Sequence, residues 1–296
     1  MNTDTVLIID SSSDLPLEYV EKNNLPYLGL SVHYNGNTYV DDFGKTLTYK
    51  TFYDAIRNGA LPTTSQINVY SFEEEFKKYV KNGKSIIYIG FSSVLSGCVN
   101  NARIAKELVL KDYKNADITI IDTKSACIGE GLLVYKCCEM LKNNASKDEI
   151  INWLNNNKLK VDHWFVVDNL YHLKRGGRIS GAAAAIGSLF QIKPILNIND
   201  EGGLVTVMNA KGKKQALRML IDKFAEKAEN PEDQVVGISH GDCIEDALLL
   251  KSMLLERFKV KDVLINHVGP VLGAHVGCGM VSLCFFVKER EKYSKA

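Results

Sequence analysis

The segment "GFSSVLSGCVNNAR" (90–103) places Ser92, Ser93 and Ser96 between the apolar run "SIIYIG" and a stretch with helical patterning. The unpaired N–H groups of a first helical turn, and the positive end of its dipole, favour an anion, and serine hydroxyls add neutral donors. The Ser96-Gly97 turn is therefore a seat for a carboxylate or phosphate, although helix capping alone accounts for any single serine here. A nucleophile elbow requires G-x-S-x-G, and "GFSSV" has Val94 at the last glycine position.

Three further stretches carry chemistry-bearing residues. "PTTSQIN" (62–68) sets hydroxyls before the helix containing "FEEEFKKYV", where a loop and cap is the plainer account. "DNLYHLKRGGRISG" (168–181) brings Arg175 and Arg178 around a glycine pair, and one RGG copy in a chain of even charge is a weak nucleic-acid signal. "HVGPVLGAHVGCGM" (267–280) places His275 in a glycine-rich loop before a strand. The sequence holds no G-x-x-x-x-G-K-[ST] phosphate loop and no kinase-type glycine loop, so nothing in it is arranged to hold ATP.

These stretches must be positioned by alternating elements. Strand-type runs at 5–10, 85–90 and 117–122 alternate with helices from Leu15, to about Lys111 and to about Lys142, which implies βαβ units and a parallel sheet. "SKDE" (146–149) opens a helix to about Asn157 with a capping box, and Asn35-Gly36 predicts a hairpin within 30–42. Beyond residue 160 the expected order is a strand at 162–168, two strands joined by a turn at 200–203, a helix at 213–228, and then strand, helix, strand and a last strand near 280–287. We therefore expect two units, 1–160 and 161–296, the first with a small β-hairpin insertion.

Composition sets the class. The 296 residues are 46% hydrophobic and 24% charged, as in ordinary globular chains. Lys and Arg number 36 against 35 Asp and Glu, so no basic footprint for nucleic acid or an anionic membrane is present. Seven cysteines without a CxxC spacing argue against a disulfide framework or a zinc cluster and for a reducing compartment. The first residues lack the basic flank and apolar length of a signal peptide, and no window reaches a membrane span, so we expect a cytoplasmic protein with no metal.

Taken in order along the chain, "LIIDSSSDLP", "TSQ", "SSVLSG", "IIDTKSACIGEG", "LKRGGRI", "KPIL" and "GAHVG" resemble the bacterial DegV family. That resemblance implies an α/β fold of two domains, an N-terminal parallel-sheet (Rossmann-like) domain and a C-terminal α/β domain, with the ligand between them. It also implies a non-enzymatic lipid carrier of the FakB type. Such a carrier holds a long-chain fatty acid, needs no other cofactor and presents the carboxylate to a separate, dihydroxyacetone-kinase-like fatty acid kinase. The acyl phosphate formed feeds phospholipid synthesis, with only transient membrane contact.

By matching position, Thr64 and Ser93 would bind the carboxylate with Ser96, Gly97, His275 and Arg175, while Arg178 stays open as an alternative or as a contact for the kinase. "GAAAAIGSLF" (181–190), through Ala182, Ala183, Ile186 and Phe190, would form a wall of the acyl tunnel, or equally a packed core helix. Ile67, Cys98 and Cys278 depart from the family's usual residues and bear on pocket shape. The competing class is a serine esterase or thioesterase using Ser93 or Ser96 with His275 as base.

Overall fold

The computed structural model describes residues 4–180 and 192–293. The first part of the chain runs β1 (Thr5–Asp10), α1 (Leu17–Lys22), β2 (Tyr27–Leu28), β3 (Ser31–Tyr34), β4 (Asn37–Val40), α2 (Tyr49–Arg57), β5 (Thr63–Ser65), α3 (Val69–Val80), β6 (Ser85–Gly90), α4 (Cys98–Asp112), β7 (Ile118–Asp122), α5 (Cys127–Lys142) and α6 (Lys147–Asn157). The rest runs β8 (Val161–Val166), α7 (Tyr171–Arg175), β9 (Ile192–Ile198), β10 (Leu204–Lys211), α8 (Lys213–Lys227), β11 (Val235–His240), α9 (Ile244–Arg257), β12 (Asp262–His267), α10 (Pro270–Val276) and β13 (Val281–Phe286).

Two main sheets result. One is fully parallel in the order β2-β1-β6-β7, and its inner strands are near-continuous apolar runs, as burial of both faces under helices requires. The other has the order β10-β9-β8-β13-β11-β12, with β11 and β12 parallel and the remaining neighbours antiparallel. A small antiparallel sheet, β4-β3-β5, carries the expected hairpin turn at Asn35-Gly36. The chain is thus an α/β protein with a parallel-sheet domain and a second α/β domain.

Helix patterning follows the same logic. Val99, Ala102, Ala105 and Val109 form the buried stripe of α4. At the start of α6, Ser146 and Glu149 exchange the reciprocal hydrogen bonds of a capping box. Three local expectations differ from the structure. The first helix begins at Leu17 rather than Leu15, because Ser11–Ser13 form a short 3-10 turn capped by Asp10. The "TTS" segment is β5, held by pairing with β3 rather than left as a loop. His275 lies in the last turn of α10, a helix opened by Pro270, and not in a loop.

One buried cation ties the segments around the junction of the two sheets. Arg290 is 3% exposed. Its Nε donates to the Val161 carbonyl at 2.6 Å, and its Nη atoms donate to the carbonyls of Lys124 (2.8 Å), Asn199 (3.3 Å) and Lys158 (3.2 Å) and to Ser125 Oγ (2.9 Å). Burial pushes its pKa down to about 10, which leaves it charged at neutral pH. In urea unfolding, Arg290→Met should remove at least about 3 kcal/mol of stability, because it orphans several buried acceptors of a charged donor. Ser146→Ala, at the exposed cap, should remove about 1 kcal/mol. Equal losses in the two variants would show that Arg290 does not hold the junction.

Candidate functional site

A cavity of about 330 Å³ lies between the two main sheets. The first part of the chain supplies Leu30, Thr64, Ser65, Gln66, Ser96 and the turn residues Phe91 and Leu95; the second supplies residues of β8, β13, α7 and α10. Most of the lining is apolar, and its polar members include Thr64, Ser96, Arg178 and His275.

Thr64 Oγ1 and His275 Nε2 are 2.9 Å apart. Burial, and then the positive charges of Arg178 and Arg175, push the His275 pKa down to about 4, so the ring is neutral at physiological pH. Its Nδ1 has no hydrogen-bond partner and packs against Gly176, where a Cβ would collide with the ring. Arg175 does not point a free guanidinium at the cavity. It donates to the carbonyls of Pro62 (2.7 Å), Ala274 (3.2 Å) and Leu61 (3.4 Å), and so clasps the segment leading to Thr64 against the helix carrying His275. Arg178 does line the cavity; its Nε donates to the Leu95 carbonyl at 3.1 Å and its Nη1 to Gly176.

The three serines of the β6–α4 turn have three different surroundings. Ser92 is buried and donates to the Gly202 carbonyl at 2.8 Å, tying the turn to the β9–β10 connection. Ser93 faces an adjoining cleft, donating to Asp122 Oδ2 at 2.5 Å and accepting from Lys124 Nζ at 2.8 Å. Burial acts to raise the Asp122 carboxyl, but the hydrogen bonds from Lys124 and Ser93 outweigh it and hold it below its usual value. Ser96 lines the cavity, and its Oγ lies 3.2 Å from Cys98 Sγ. Gly97 caps α4 and borders the adjoining cleft rather than the cavity.

The structure therefore brings together Thr64, Ser96, Arg178 and His275 of the expected set, and sets Ser93, Gly97 and Arg175 outside the cavity lining. Ala182, Ala183, Ile186 and Phe190 lie outside the described residues. The esterase arrangement is not assembled: His275 Nε2 meets Thr64 and neither Ser93 nor Ser96, and no carboxylate orients Nδ1. Among the described residues no group of His, Cys, Asp or Glu is arranged to hold a metal ion, and no helix is long and apolar enough to cross a membrane.

Asp10 is a support that the sequence pattern did not single out. Its carboxyl accepts from Tyr88 Oη (2.7 Å), Phe91 N (3.1 Å) and Ser12 N (2.9 Å), fixing the turn that leads to Ser96. The available signal was a carboxylate closing an apolar strand, in "LIIDSSSD".

Comparison with known proteins follows the same architecture. A family model described as an uncharacterised protein of the DegV family matches residues 4–288. A DegV domain-containing protein of Clostridium perfringens is 46% identical over 286 residues, covering 97% of this chain and 98% of its own. A fatty-acid-binding DegV family protein of Thermus thermophilus superimposes with a TM-score of 0.87 at 27% identity, over 96% of this chain and 100% of its own. A stearic-acid-binding protein of Eubacterium ventriosum gives 0.85 at 26% identity, over 95% and 98%.

The depressed His275 pKa predicts a pH dependence with a definite sign. The unfolded chain binds a proton at this ring near pH 6.5 and the folded chain only near pH 4, so the contribution is present above 6.5 and is lost as pH falls toward 4. His275→Gln abolishes that titration. Over this window the wild type should lose stability relative to the variant, as read by denaturant unfolding at each pH; parallel curves would place the ring in water.

Proposed function

Since the chain belongs to the DegV family, we propose that it binds a long-chain fatty acid in this cavity and presents the carboxylate to a separate fatty acid kinase. The observation that carries this is the cavity itself, apolar over most of its lining, with the paired Thr64 and His275, Ser96 and the guanidinium-bearing Arg178 on its wall. Thr64, Ser96 and His275 hold the carboxylate, Arg178 lies beside it, and Arg175 sets the distance between Thr64 and His275. Neutral donors suit this task, because a cation buried without a partner costs several kcal/mol. Along the apolar walls, each CH₂ withdrawn from water contributes about 0.8 kcal/mol.

The protein acts as a cytoplasmic carrier and performs no bond chemistry. A dihydroxyacetone-kinase-like partner supplies ATP and forms the acyl phosphate for phospholipid synthesis, and the carrier touches the membrane only to load its acid. Arg178 lines both the cavity and the adjoining cleft, which supports a role for it in contacting the carboxylate and that partner.

Delipidated protein should gain about 2.7 kcal/mol of stability from octadecanoic acid at 100 times its dissociation constant. Thermal unfolding reads this directly, and no shift with any long-chain acid, saturated or unsaturated, would remove the fatty acid from the cavity. Thr64→Ala and Ser96→Ala should each weaken binding by about 10- to 150-fold, the worth of one hydrogen bond to a charged group. Ser93→Ala should leave affinity unchanged; a loss there alone would move the carboxylate into the adjoining cleft. Incubated with fatty acid and ATP, the protein should form acyl phosphate only when the kinase is added, and product from the protein alone would overturn the carrier role.

A further inference from the structure

The wall formed by β8 and β13 does not stay apolar along its length. The two strands run antiparallel with Phe165 opposite Ser282 and His163 opposite Cys284, and all four of these residues, with Met280, line the cavity. From Met280 to Cys284 this face extends by four residues, or about 13 Å at 3.3–3.4 Å per residue. The imidazole of His163 thus lies at the end away from α10, opposite Cys284, and the Ser282 hydroxyl two residues nearer.

Those groups are poorly matched by the protein. His163 is 2% exposed, and burial, with the charge of Arg290, holds its pKa well below the usual value, so the ring is neutral. A neutral imidazole has one N–H and one bare nitrogen to satisfy. Nε2 meets the Ala126 N–H at a long 3.5 Å, beside Gly129, where a Cβ would overlap the ring. Nδ1 is buried without a partner; the Val161 carbonyl attracts its proton but lies outside hydrogen-bonding geometry. Ser282 Oγ accepts the Ser239 N–H at 3.0 Å, while its own proton has the Ser239 carbonyl at a long 3.5 Å and the neighbouring Cys284 sulfur. Buried polar atoms are nearly always paired, and an aliphatic tail offers these two nothing.

We propose that His163 and Ser282 form a subsite for a hydroxyl group on the distal half of the acyl chain, and that the ligand class includes hydroxylated long-chain fatty acids. A hydroxyl donates one hydrogen bond and accepts two, so it satisfies an imidazole nitrogen and a serine hydroxyl together in either tautomer. The subsite rests on fatty acid occupancy of the cavity, and it adds a discrimination that the carboxylate anchor cannot make.

The test uses delipidated full-length protein and a series of octadecanoic acids bearing one hydroxyl at successive carbons of the distal half. A wholly apolar end would weaken every isomer about 5- to 150-fold against octadecanoic acid, the cost of an unmatched hydroxyl. The expected result is one isomer that binds at least as tightly as octadecanoic acid. In His163→Leu that isomer should lose at least about 10-fold relative to octadecanoic acid, and His163→Gln should restore part of the loss. Should the leucine variant fail to fold, the wild-type series and the glutamine variant decide. Weakening of every isomer in the wild type, or an unchanged ratio in His163→Leu, overturns the subsite while leaving fatty acid binding intact. Failure of every acid to bind overturns both.

Discussion

A single hydrogen bond between residues 211 positions apart, Thr64 to His275, sets the conditions for the rest of the molecule. Thr64 stands on a three-residue strand that exists only because β3 pairs with it, and His275 on a seven-residue helix. Neither element is long enough to be stable alone. Arg175 therefore acts as a brace, bonding the backbone on both sides of the pair. Asp10 performs the equivalent task for the turn carrying Ser96.

Electrostatic neutrality is the second constraint. Asp14 and Asp41 lie buried near the start of α10, where Gly269 N donates to Asp14 Oδ1 at 2.9 Å. Burial raises Asp41 to about 7 and Asp14 well above the usual carboxyl value, and Glu130, buried in α5, is raised likewise. Asp14 and Glu130 are therefore held toward the neutral form, and Asp41 joins them as pH falls below about 7. No carboxylate lines the cavity among the described residues, and the nearby Asp122 is held ionised by Lys124 and Ser93 in the adjoining cleft.

The sheet framework was legible because strands buried on both faces are written as unbroken apolar runs, as at 5–10 and 85–90. Elements that exist through pairing leave no such trace: β2 and β5 have two and three residues, and the glycines of "GPVLGAHVG" hid α10. The site was legible in part for a related reason. Residue type and motif order brought out Thr64, Ser96, Arg178 and His275, but which of three neighbouring serines faces the cavity depends on the turn's orientation, and that is fixed by distant partners at Gly202 and Asp122. Nothing local in "RGGR" distinguishes the arginine that braces backbone from the one that borders the cavity.

The cavity between the sheets also has a volumetric consequence. Hydrostatic pressure favours whichever state eliminates internal void, and about 330 Å³ of cavity lies between the sheets. An occupant that fills that space reduces the volume change on unfolding, independently of any hydrogen bond it makes. The fold's resistance to compression is then a property of the complex, and two acids of equal affinity but different bulk would leave the protein with different compressibilities.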